Sequence, residues 1–288
     1  MALVLDGNRI ARVLSWRHRD ELKDIQNRLG HPLTLAVVRA GENKASESYI
    51  RQIEKLCRRA GMEFQEHVLS ATDREQFIGK ICSLNADPRI TGIMLSWPLP
   101  DDWDQELIAM TLDPRKDIDG LHPLNAGRVF LGGASLGMDA FVPNTPFGVI
   151  HLLRHYEIPV RGKHAVLIGR SSVAGRPLAA LLIAHDATVT VTHSKTVDLA
   201  GHTRQADILL VAMGKANFVT PDMVKPGAVV VDIGINVTPD GLVGDVQYDA
   251  VSEVAGAITP VPGGVGPVTN AMLIANTIRA ARLQSTLA

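Results

Sequence analysis

The sequence predicts an α/β protein with two domains, a parallel-sheet N-terminal domain and a Rossmann-like second domain on either side of a cleft. Three observations predict this fold. Candidate strands and helices alternate along nearly the whole chain, which is the pattern of repeated βα units. Strand candidates such as LTLAVV (33–38) and GIML (92–95) are continuous apolar runs, as parallel strands covered on both faces require. The 288 residues, 46% of them hydrophobic, suffice for two cores.

The first half alternates strand and helix up to a glycine-rich break. The second helix of this half is predicted to open with a capping box of Thr72 and Glu75. The stretch from Gly132 to Pro146 is rich in glycine and turn residues, which favours a hinge or linker. The predicted elements before the break are strands at 33–41, 62–70 and 90–100 and helices at 44–61 and 72–85.

The second half is a cleaner strand–helix series, typical of a Rossmann-like domain. A last amphipathic helix from Pro267 follows the completed strands, so we expect it to return to the first domain. The predicted domains are therefore 1–140 plus 269–288, and 141–268. The predicted elements are helices at 147–156, 175–185 and 220–225 and strands at 163–169, 187–193, 207–213 and 228–234.

Composition argues against several classes of protein. The formal net charge is -1, from 29 basic and 30 acidic residues, so nothing draws the chain toward nucleic acid or a membrane surface. No apolar run approaches the roughly 20 residues of a membrane span, and the N-terminus lacks a signal-peptide pattern. Cys57 and Cys82 form no close-spaced motif and the ten histidines show no metal-ligand spacing. We therefore expect no metal site and a cytoplasmic location.

The turn IGRSSVAGRP (168–177) is a candidate nucleotide-binding turn. Gly169 suits the tight turn and Gly175 the close helix–strand approach, but Ser171 replaces the middle glycine and the loop is one residue longer than usual. A helix N-terminus there would offer N–H groups to a phosphate. The alternative is an ordinary turn.

The end of the following strand indicates which nucleotide would bind. An NAD site usually has an acidic residue there for the ribose 2′-hydroxyl, whereas this strand ends in His193, Ser194 and Lys195, with Arg170 in the preceding turn. A hydroxyl and cations suit a 2′-phosphate and favour NADP. The alternative is a solvated basic edge.

Four motifs, in order along the chain, carry a resemblance to a known family. They are ASESY (45–49), DIDGLHPLNAGR (117–128), GRSSVAGRP (169–177) and PVPGGVGPVT (260–269), with VDIGIN and GDV between the last two. The chain resembles the bifunctional 5,10-methylenetetrahydrofolate dehydrogenase/5,10-methenyltetrahydrofolate cyclohydrolases. The resemblance implies a folate-binding catalytic first domain, an NADP-binding second domain, a tetrahydrofolate derivative as substrate and a homodimer.

The resemblance also implies roles for individual residues. Tyr49 would pack near the folate, although an ordinary half-buried helix tyrosine is the alternative. Asp119 would grip the N–H groups of the pterin, although an aspartate before Gly120 is also a common turn residue. The implied cofactor residues are Gly169, Arg170, Ser171, Gly175, Ser194 and Ile235.

The proline–glycine loop would lie beside the folate and the nicotinamide. Prolines fix its backbone angles, and glycines allow backbone to approach flat rings with no side chain between. A rigid interdomain connector is the alternative, and both interpretations are compatible. The implied substrate residues in and after this loop are Pro262, Gly263, Gly264 and Thr269.

Two positions depart from the family pattern. The family has a catalytic lysine where Ile53 stands and a glutamine contacting that lysine where Ser96 stands. Lys55 is six residues from Tyr49 and lies well around the helix. Asn144, where many relatives have cysteine, receives no role. The expected activity is NADP-dependent oxidation of methylenetetrahydrofolate, with the cyclohydrolase step in doubt. The alternatives are a fully bifunctional enzyme and a folate- and nucleotide-binding protein without turnover.

Overall fold

The computed structural model describes residues 2–42, 44–132, 140–239 and 241–285. Part of the predicted hinge, residues 133–139, therefore lies outside the described residues. The elements in chain order are β1 Leu3–Val4, α1 Gly7–Leu29, β2 Thr34–Ala40, α2 Lys44–Ala60, β3 Glu63–Leu69, α3 Arg74–Ala86, β4 Gly92–Leu95, α4 Gln105–Met110, α5 Pro123–Phe130, α6 Asn144–His155, β5 His164–Ile168, α7 Gly175–Ala184, β6 Thr188–Thr192, α8 Leu199–Thr203, β7 Ile208–Val211, a 3₁₀ turn Pro221–Met223, β8 Val229–Asp232, β9 Asn236–Thr238, β10 Gly241–Val243, α9 Tyr248–Ser252, β11 Ala257–Ile258 and α10 Val265–Ser285.

The chain divides into two compact units, which we name after their main sheets. The three-stranded unit comprises 14–128, 140–144 and 273–285 among the described residues. The six-stranded unit comprises 2–13, 129–132 and 145–272. α10 therefore begins in the six-stranded unit, and its residues from Leu273 onward belong to the three-stranded unit.

The three-stranded unit is built on a parallel sheet in the order β3-β2-β4. Successive side chains of β2 point to opposite faces of the sheet. Leu35 and Val37 pack in one apolar cluster with Ile53 of α2, and Ala36 and Val38 pack in another with helix α3. Both faces of β2 are thus buried, which explains the continuous apolar run from Leu35 to Val38.

The six-stranded unit has an all-parallel sheet in the order β1-β11-β8-β7-β5-β6. β5 pairs with β6 on one side and β7 on the other, so the chain reverses its direction of winding at β5. In open α/β sheets, ligands bind at such a switch point, outside the carboxyl ends of the strands. The turns after β5 and β7 therefore flank the position where this sheet is expected to bind a ligand.

The N-terminal residues differ from the sequence-based boundaries, which placed 1–140 in the first domain. Leu3 and Val4 form the edge strand of the six-stranded sheet, paired with Ala257 and Ile258. Leu5 N–H extends this pairing by donating to Ile258 O at 2.8 Å. A two-residue strand has too few positions to show any periodicity, so the sequence pattern could not reveal it.

The cap of α3 also differs from the predicted capping box. The N-cap is Asp73, whose carboxylate accepts the backbone N–H of Gln76 at 2.8 Å. The Thr72 hydroxyl instead hydrogen-bonds Ser70 Oγ at 2.8 Å. Aspartate and threonine are both good N-caps, so the sequence could not decide which of the neighbouring residues 72 and 73 caps the helix.

We found no membrane-spanning candidate among the helices of the described residues, since none combines the required length and apolar character.

Candidate functional site

The turn between β5 and α7 brings two backbone segments into close contact. Gly169 has φ +123°, and a Cβ there would lie 2.2 Å from Ala212 O in the loop after β7. A Cβ on Gly175 would lie 2.6 Å from Gly169 O. Both positions require glycine for steric reasons, and Gly169 also for its backbone angle. The turn after β5 therefore lies directly against the loop after β7, at the switch point of the sheet.

The N-terminus of α7 is only partly capped. Ser171 Oγ accepts the backbone N–H groups of Ala174 and Gly175, each at 3.3 Å. Within the described chain, the backbone N–H groups of residues 170–173 make no hydrogen bond. Exposed amides before a ten-residue helix, together with the helix dipole, form an environment suited to a phosphate. Ser171, at the position of the usual middle glycine, thus partly caps the N-terminus of α7 with its hydroxyl.

The end of β6 is basic and exposed. Ser194 and Lys195 are exposed and His193 is half-buried, and Arg170 in the preceding turn is also exposed. Lys195 N–H donates to His193 Nδ1 at 3.2 Å, and His193 N–H donates to Thr196 Oγ1 at 2.9 Å. These bonds form a compact turn that carries no carboxylate from His193 to Thr196.

Two buried aspartates hold the loops after β7 and β8, and the sequence analysis missed both. Asp245 accepts the N–H groups of Met213, Gly214 and Lys215 at 2.7–2.9 Å. Asp232 accepts the N–H groups of Gly234, Asp245 and Val246 at 2.9–3.1 Å. Burial raises the pKa of Asp232 to about 6, although these donors lower it.

Asp232 and Asp245 stand inside the VDIGIN and GDV motifs, so the signal for them was present in the sequence. Their carboxylates fix the loops whose ends flank the switch point. Ile235, which the sequence assigned to the cofactor, follows one of these loops and is 61% exposed. An exposed isoleucine beside rigid backbone is a surface on which a flat ring can pack.

The proline–glycine loop supports the start of α1. Gly263, at φ +108°, accepts the N–H groups of Gly7 and Asn8 on its carbonyl at 2.8 and 3.2 Å. A Cβ on Gly7 would lie only 1.7 Å from Gly264 O. That contact requires glycine at position 7, the positive backbone angle favours glycine at 263, and a Cβ on Gly264 would lie 2.6 Å from Pro260 O. The packing of this loop therefore explains its glycines without any ligand, a role that sequence reasoning missed.

The other predicted residues of this loop differ in exposure. Pro262 is exposed and follows a cis peptide bond. Thr269 is buried in α10, where its hydroxyl donates to Val265 O at 3.2 Å and contacts Thr145 Oγ1 at 3.4 Å. Pro262 is therefore available to a ligand on this unit, whereas the hydroxyl of Thr269 is already hydrogen-bonded within the unit.

In the three-stranded unit, two neighbouring aspartates have different environments. Asp117 is wholly buried, at 0% exposure, and accepts the N–H groups of Leu121 and His122 and the side-chain amide of Asn125 at 2.8–3.0 Å. Its carboxylate therefore organises the turn before α5. Asp119 is half-buried. Of the two, Asp119 is the carboxylate that a ligand can reach.

Asp119 has one side-chain donor and a strongly shifted pKa. Asn144 Nδ2 donates to Asp119 Oδ1 at 2.5 Å. Burial and the nearby charge of Asp117 raise the pKa of Asp119 to about 6, although hydrogen bonds from Asn144 lower it. The pKa of Tyr49 is raised above its ordinary value, mainly because its hydroxyl is removed from water and also because of the nearby charge of Asp119. The residue as a whole is 39% exposed. The structure thus brings Tyr49 and Asp119 within electrostatic reach of each other.

Ile53, for which the resemblance implies the position of a family lysine, is a core residue. It is 0% exposed and belongs to the apolar cluster that includes Ile50, Cys57 and Met94. Lys55, the nearest lysine after it in sequence, is exposed. The side chain of Ile53 offers no group that could exchange a proton.

Ser96 extends β4 by one residue. Its N–H donates to Val38 O at 2.9 Å, so strand pairing continues beyond Leu95. Alternation along the strand directs Ser96 to the same face as Met94, the face on which Ile53 packs. Ser96 is 5% exposed. The two residues that depart from the family pattern thus share one side of the three-stranded sheet.

The predicted site residues thus form one group in each unit. The six-stranded unit holds the candidate nucleotide turn and the proline–glycine loop, and the three-stranded unit holds Tyr49, Ile53, Ser96 and Asp119. In the described ranges, no group of three or more His, Cys, Asp or Glu residues could hold a metal ion.

Comparison with known families gives two matches that together span most of the chain. Residues 5–119 match a family described as tetrahydrofolate dehydrogenase/cyclohydrolase, catalytic domain. Residues 143–285 match the family described as tetrahydrofolate dehydrogenase/cyclohydrolase, NAD(P)-binding domain.

Individual relatives are similar over nearly their full length. The chain is 46% identical to the bifunctional protein FolD 1 of Myxococcus xanthus, with 98% of each chain covered. A bifunctional methylenetetrahydrofolate dehydrogenase/cyclohydrolase from Campylobacter jejuni superposes with a TM-score of 0.93 at 40% identity, covering 98% of this chain and 99% of that one. A Trypanosoma brucei methylenetetrahydrofolate dehydrogenase-cyclohydrolase, solved with NADP and an inhibitor, gives a TM-score of 0.92 at 33% identity, covering 100% and 99%.

Proposed function

Because this chain belongs to the tetrahydrofolate dehydrogenase/cyclohydrolase family, we propose that it oxidises 5,10-methylenetetrahydrofolate to 5,10-methenyltetrahydrofolate with NADP. We further propose that it does not accelerate the hydrolysis of that product to 10-formyltetrahydrofolate. The observation that carries the second part is the wholly buried, apolar Ile53 at the position of the family lysine.

The six-stranded unit fits NADP. The N–H groups of residues 170–173 and the dipole of α7 suit the pyrophosphate. Ser194 and Lys195, with Arg170, suit a 2′-phosphate, and no carboxylate stands at the end of β6 to repel it. Ile235 offers an exposed apolar surface. When bound, NADP supplies the nicotinamide carbon that accepts a hydride.

The three-stranded unit fits the folate. Asp119 is ionised near pH 7, because its pKa is about 6, and an ionised carboxylate accepts N–H groups on both oxygens. The edge of a pterin presents such N–H donors. Tyr49 exposes part of its ring, which can pack against the folate. Asp119 therefore orients the substrate, and Tyr49 packs beside it.

Oxidation requires no base from the protein. The lone pair of a folate nitrogen expels the hydride from the bridging methylene carbon, which leaves a methenyl cation stabilised between two nitrogens. The task of the protein is to hold the donor and acceptor carbons in line. The substitutions at Ile53 and Ser96 leave the residues that do this, Tyr49 and Asp119, in place.

Hydrolysis of the methenyl product, unlike the oxidation, requires proton transfers. Water must lose a proton as it attacks the methenyl carbon, and a ring nitrogen must gain a proton as the ring opens. A positioned acid or base contributes about 10²–10⁴ in rate to such transfers. Isoleucine supplies neither, and the hydroxyl of Ser96 is a poor acid and base at neutral pH. Ring opening should therefore proceed close to its rate in buffer.

The activity is tested by following both half-reactions with the purified protein. NADPH formation that depends on methylenetetrahydrofolate is the expected result, and its absence would leave a binding protein without turnover. NADP should be preferred to NAD at matched concentrations. The second half-reaction is tested with methenyltetrahydrofolate supplied directly, since its absorbance falls as the ring opens.

We also propose that the protein is cytoplasmic and forms a homodimer, as members of this family usually do. Cys57 is buried and Cys82 is exposed, and neither forms a disulfide in the structure. Free thiols are typical of a reducing compartment. Light scattering coupled to gel filtration tests the assembly, and a mass of 31 kDa, that of one chain, would refute the dimer.

A further inference from the structure

We propose that Asn144, held in place by Asn276, is a positioning residue that fixes the orientation and charge of Asp119 for the pterin. This inference rests on the proposed function, because it takes Asp119 as the residue that accepts the N–H groups of the folate. It assigns a role to an asparagine for which neither motif nor family pattern gave one.

The orientation of both amides follows from their partners. Asn276 Nδ2 lies 2.9 Å from three oxygens, which are Ile118 O, Val142 O and Asn144 Oδ1. The two carbonyl oxygens can only accept, so the group facing them must be the NH₂ of Asn276. Asn144 therefore presents its oxygen to Asn276, and its own NH₂ must point the other way.

The NH₂ of Asn144 points at Asp119. Asn144 Nδ2 lies 2.5 Å from Asp119 Oδ1. If the Asn144 amide were turned over, its oxygen would face the carboxylate and its NH₂ would face the NH₂ of Asn276. Both contacts would then be repulsive, so this amide has one stable orientation. Asn276 and Asp119 thus act together to fix which group of Asn144 faces each of them.

The hydrogen-bonded series Asn276–Asn144–Asp119, which we call the relay, is sheltered from water at both asparagines. Asn276 is 1% exposed and Asn144 is 3% exposed. Buried polar groups without a partner are costly, so neither amide can rotate away without losing bonds that water cannot replace. A carboxylate has about four acceptor positions, and the bond from Asn144 leaves others for a ligand. The relay therefore holds Asp119 while keeping it able to bind.

The same bond controls the charge of Asp119. The groups facing this carboxylate are Asp117, whose charge raises its pKa, and Tyr49, whose hydroxyl is neutral at physiological pH. His122 acts on Asp117 rather than on Asp119. Asn144 lowers the pKa of Asp119. Without Asn144, less of the carboxylate would be ionised near pH 6–7.

The kinetic test compares Asn144→Ala with Asn125→Ala. Asn125 donates to Asp117 at 2.8 Å and is also buried, so it makes the same kind of bond to the aspartate that does not face a ligand. We expect Asn144→Ala to raise the KM for methylenetetrahydrofolate about tenfold at pH 7, as for loss of a hydrogen bond to a charged group. The increase should be smaller at pH 8.5, and kcat should change less than KM. Asn125→Ala should lower stability without this change in KM.

A second measurement needs no substrate and stays informative if the proposed activity fails. Loss of stability in Asn144→Ala should be greater at pH 8 than at pH 5, because ionised Asp119 loses its donor. In an Asp119→Asn background this pH dependence should disappear. An unchanged KM together with a pH-independent loss of stability would overturn the inference. Absence of dehydrogenase activity in the wild-type protein, with the pH-dependent coupling intact, would instead overturn the proposed function alone.

Discussion

Replacing Asp119 by asparagine should make the protein more stable at pH 8. The pKa of Asp119 is raised from its ordinary value of 3.8 to about 6. The folded protein therefore holds this proton more tightly than the unfolded chain does. Stability from this group is complete below about pH 4 and is lost as the pH rises through 6. Asparagine has no charge to bury, so the variant avoids that loss.

The size of the gain in stability follows from the shift in the pKa of Asp119. Each pKa unit corresponds to about 1.4 kcal/mol, so a shift from 3.8 to about 6 sets an upper limit of about 3 kcal/mol at pH 8. The gain should fall toward zero at pH 4. Asn144 can still donate its NH₂ to the oxygen of an asparagine at position 119, which keeps the replacement well packed.

Urea unfolding followed by tryptophan fluorescence measures this gain at pH 4.5 and pH 8. The three tryptophans, Trp16, Trp97 and Trp103, all belong to the three-stranded unit, so the signal reports the unit that contains Asp119. Asp117→Asn is the control, because at least one of the donors to Asp117 would then face an NH₂ group, and stability should fall at both pH values. If Asp119→Asn is no more stable than the wild type at pH 8, or is more stable by the same amount at both pH values, then burial of an ionised Asp119 does not cost the folded protein stability.

Three further predictions concern the cofactor site and the two positions, 53 and 96, that depart from the family pattern. Ser194→Asp would bring a negative charge to the 2′-phosphate and should reverse the preference for NADP over NAD, measured as the ratio of kcat/KM values; an unchanged ratio would count against the site. Gly175→Ala should weaken NADP binding at least tenfold, since its Cβ would lie 2.6 Å from Gly169 O; Gly127→Ala, whose Cβ would meet no atom within 4 Å, should bind normally in the same titration. Ile53→Lys combined with Ser96→Gln should raise methenyltetrahydrofolate hydrolysis above the buffer rate, whereas Ile53→Lys alone should lower the melting temperature because its ammonium has no polar partner. If the double variant hydrolyses methenyltetrahydrofolate only at the buffer rate, then residues 53 and 96 do not explain the absence of cyclohydrolase activity.

The sequence predicted the elements that have strong local signals. The apolar runs of β2 and β4 predicted buried parallel strands, and the glycine spacing predicted the turn before α7. These features depend on residues close together in the chain, where side-chain periodicity and backbone angles are decisive. The expected strand–turn–helix at 163–185 appears as β5, its turn and α7.

Features that depend on distant residues could not be predicted. The edge strand Leu3–Val4 exists because β11, more than 250 residues later, offers an unpaired edge. The carbonyl of Gly263 accepts the N–H of Gly7 only because the chain brings its two ends together. Asn144 gave no local signal, since its role arises from Asn276 and Asp119. In each case the decisive partner is remote in sequence.

The loss of cyclohydrolase activity is tested most directly by the hydrolysis of purified methenyltetrahydrofolate by the wild-type protein, in a preparation that also forms NADPH from methylenetetrahydrofolate. We expect ring opening to stay at the rate of the buffer blank at every enzyme concentration, and methenyltetrahydrofolate to accumulate as NADPH forms. Hydrolysis well above the blank and proportional to enzyme concentration would show instead that the protein transfers those protons without the family lysine.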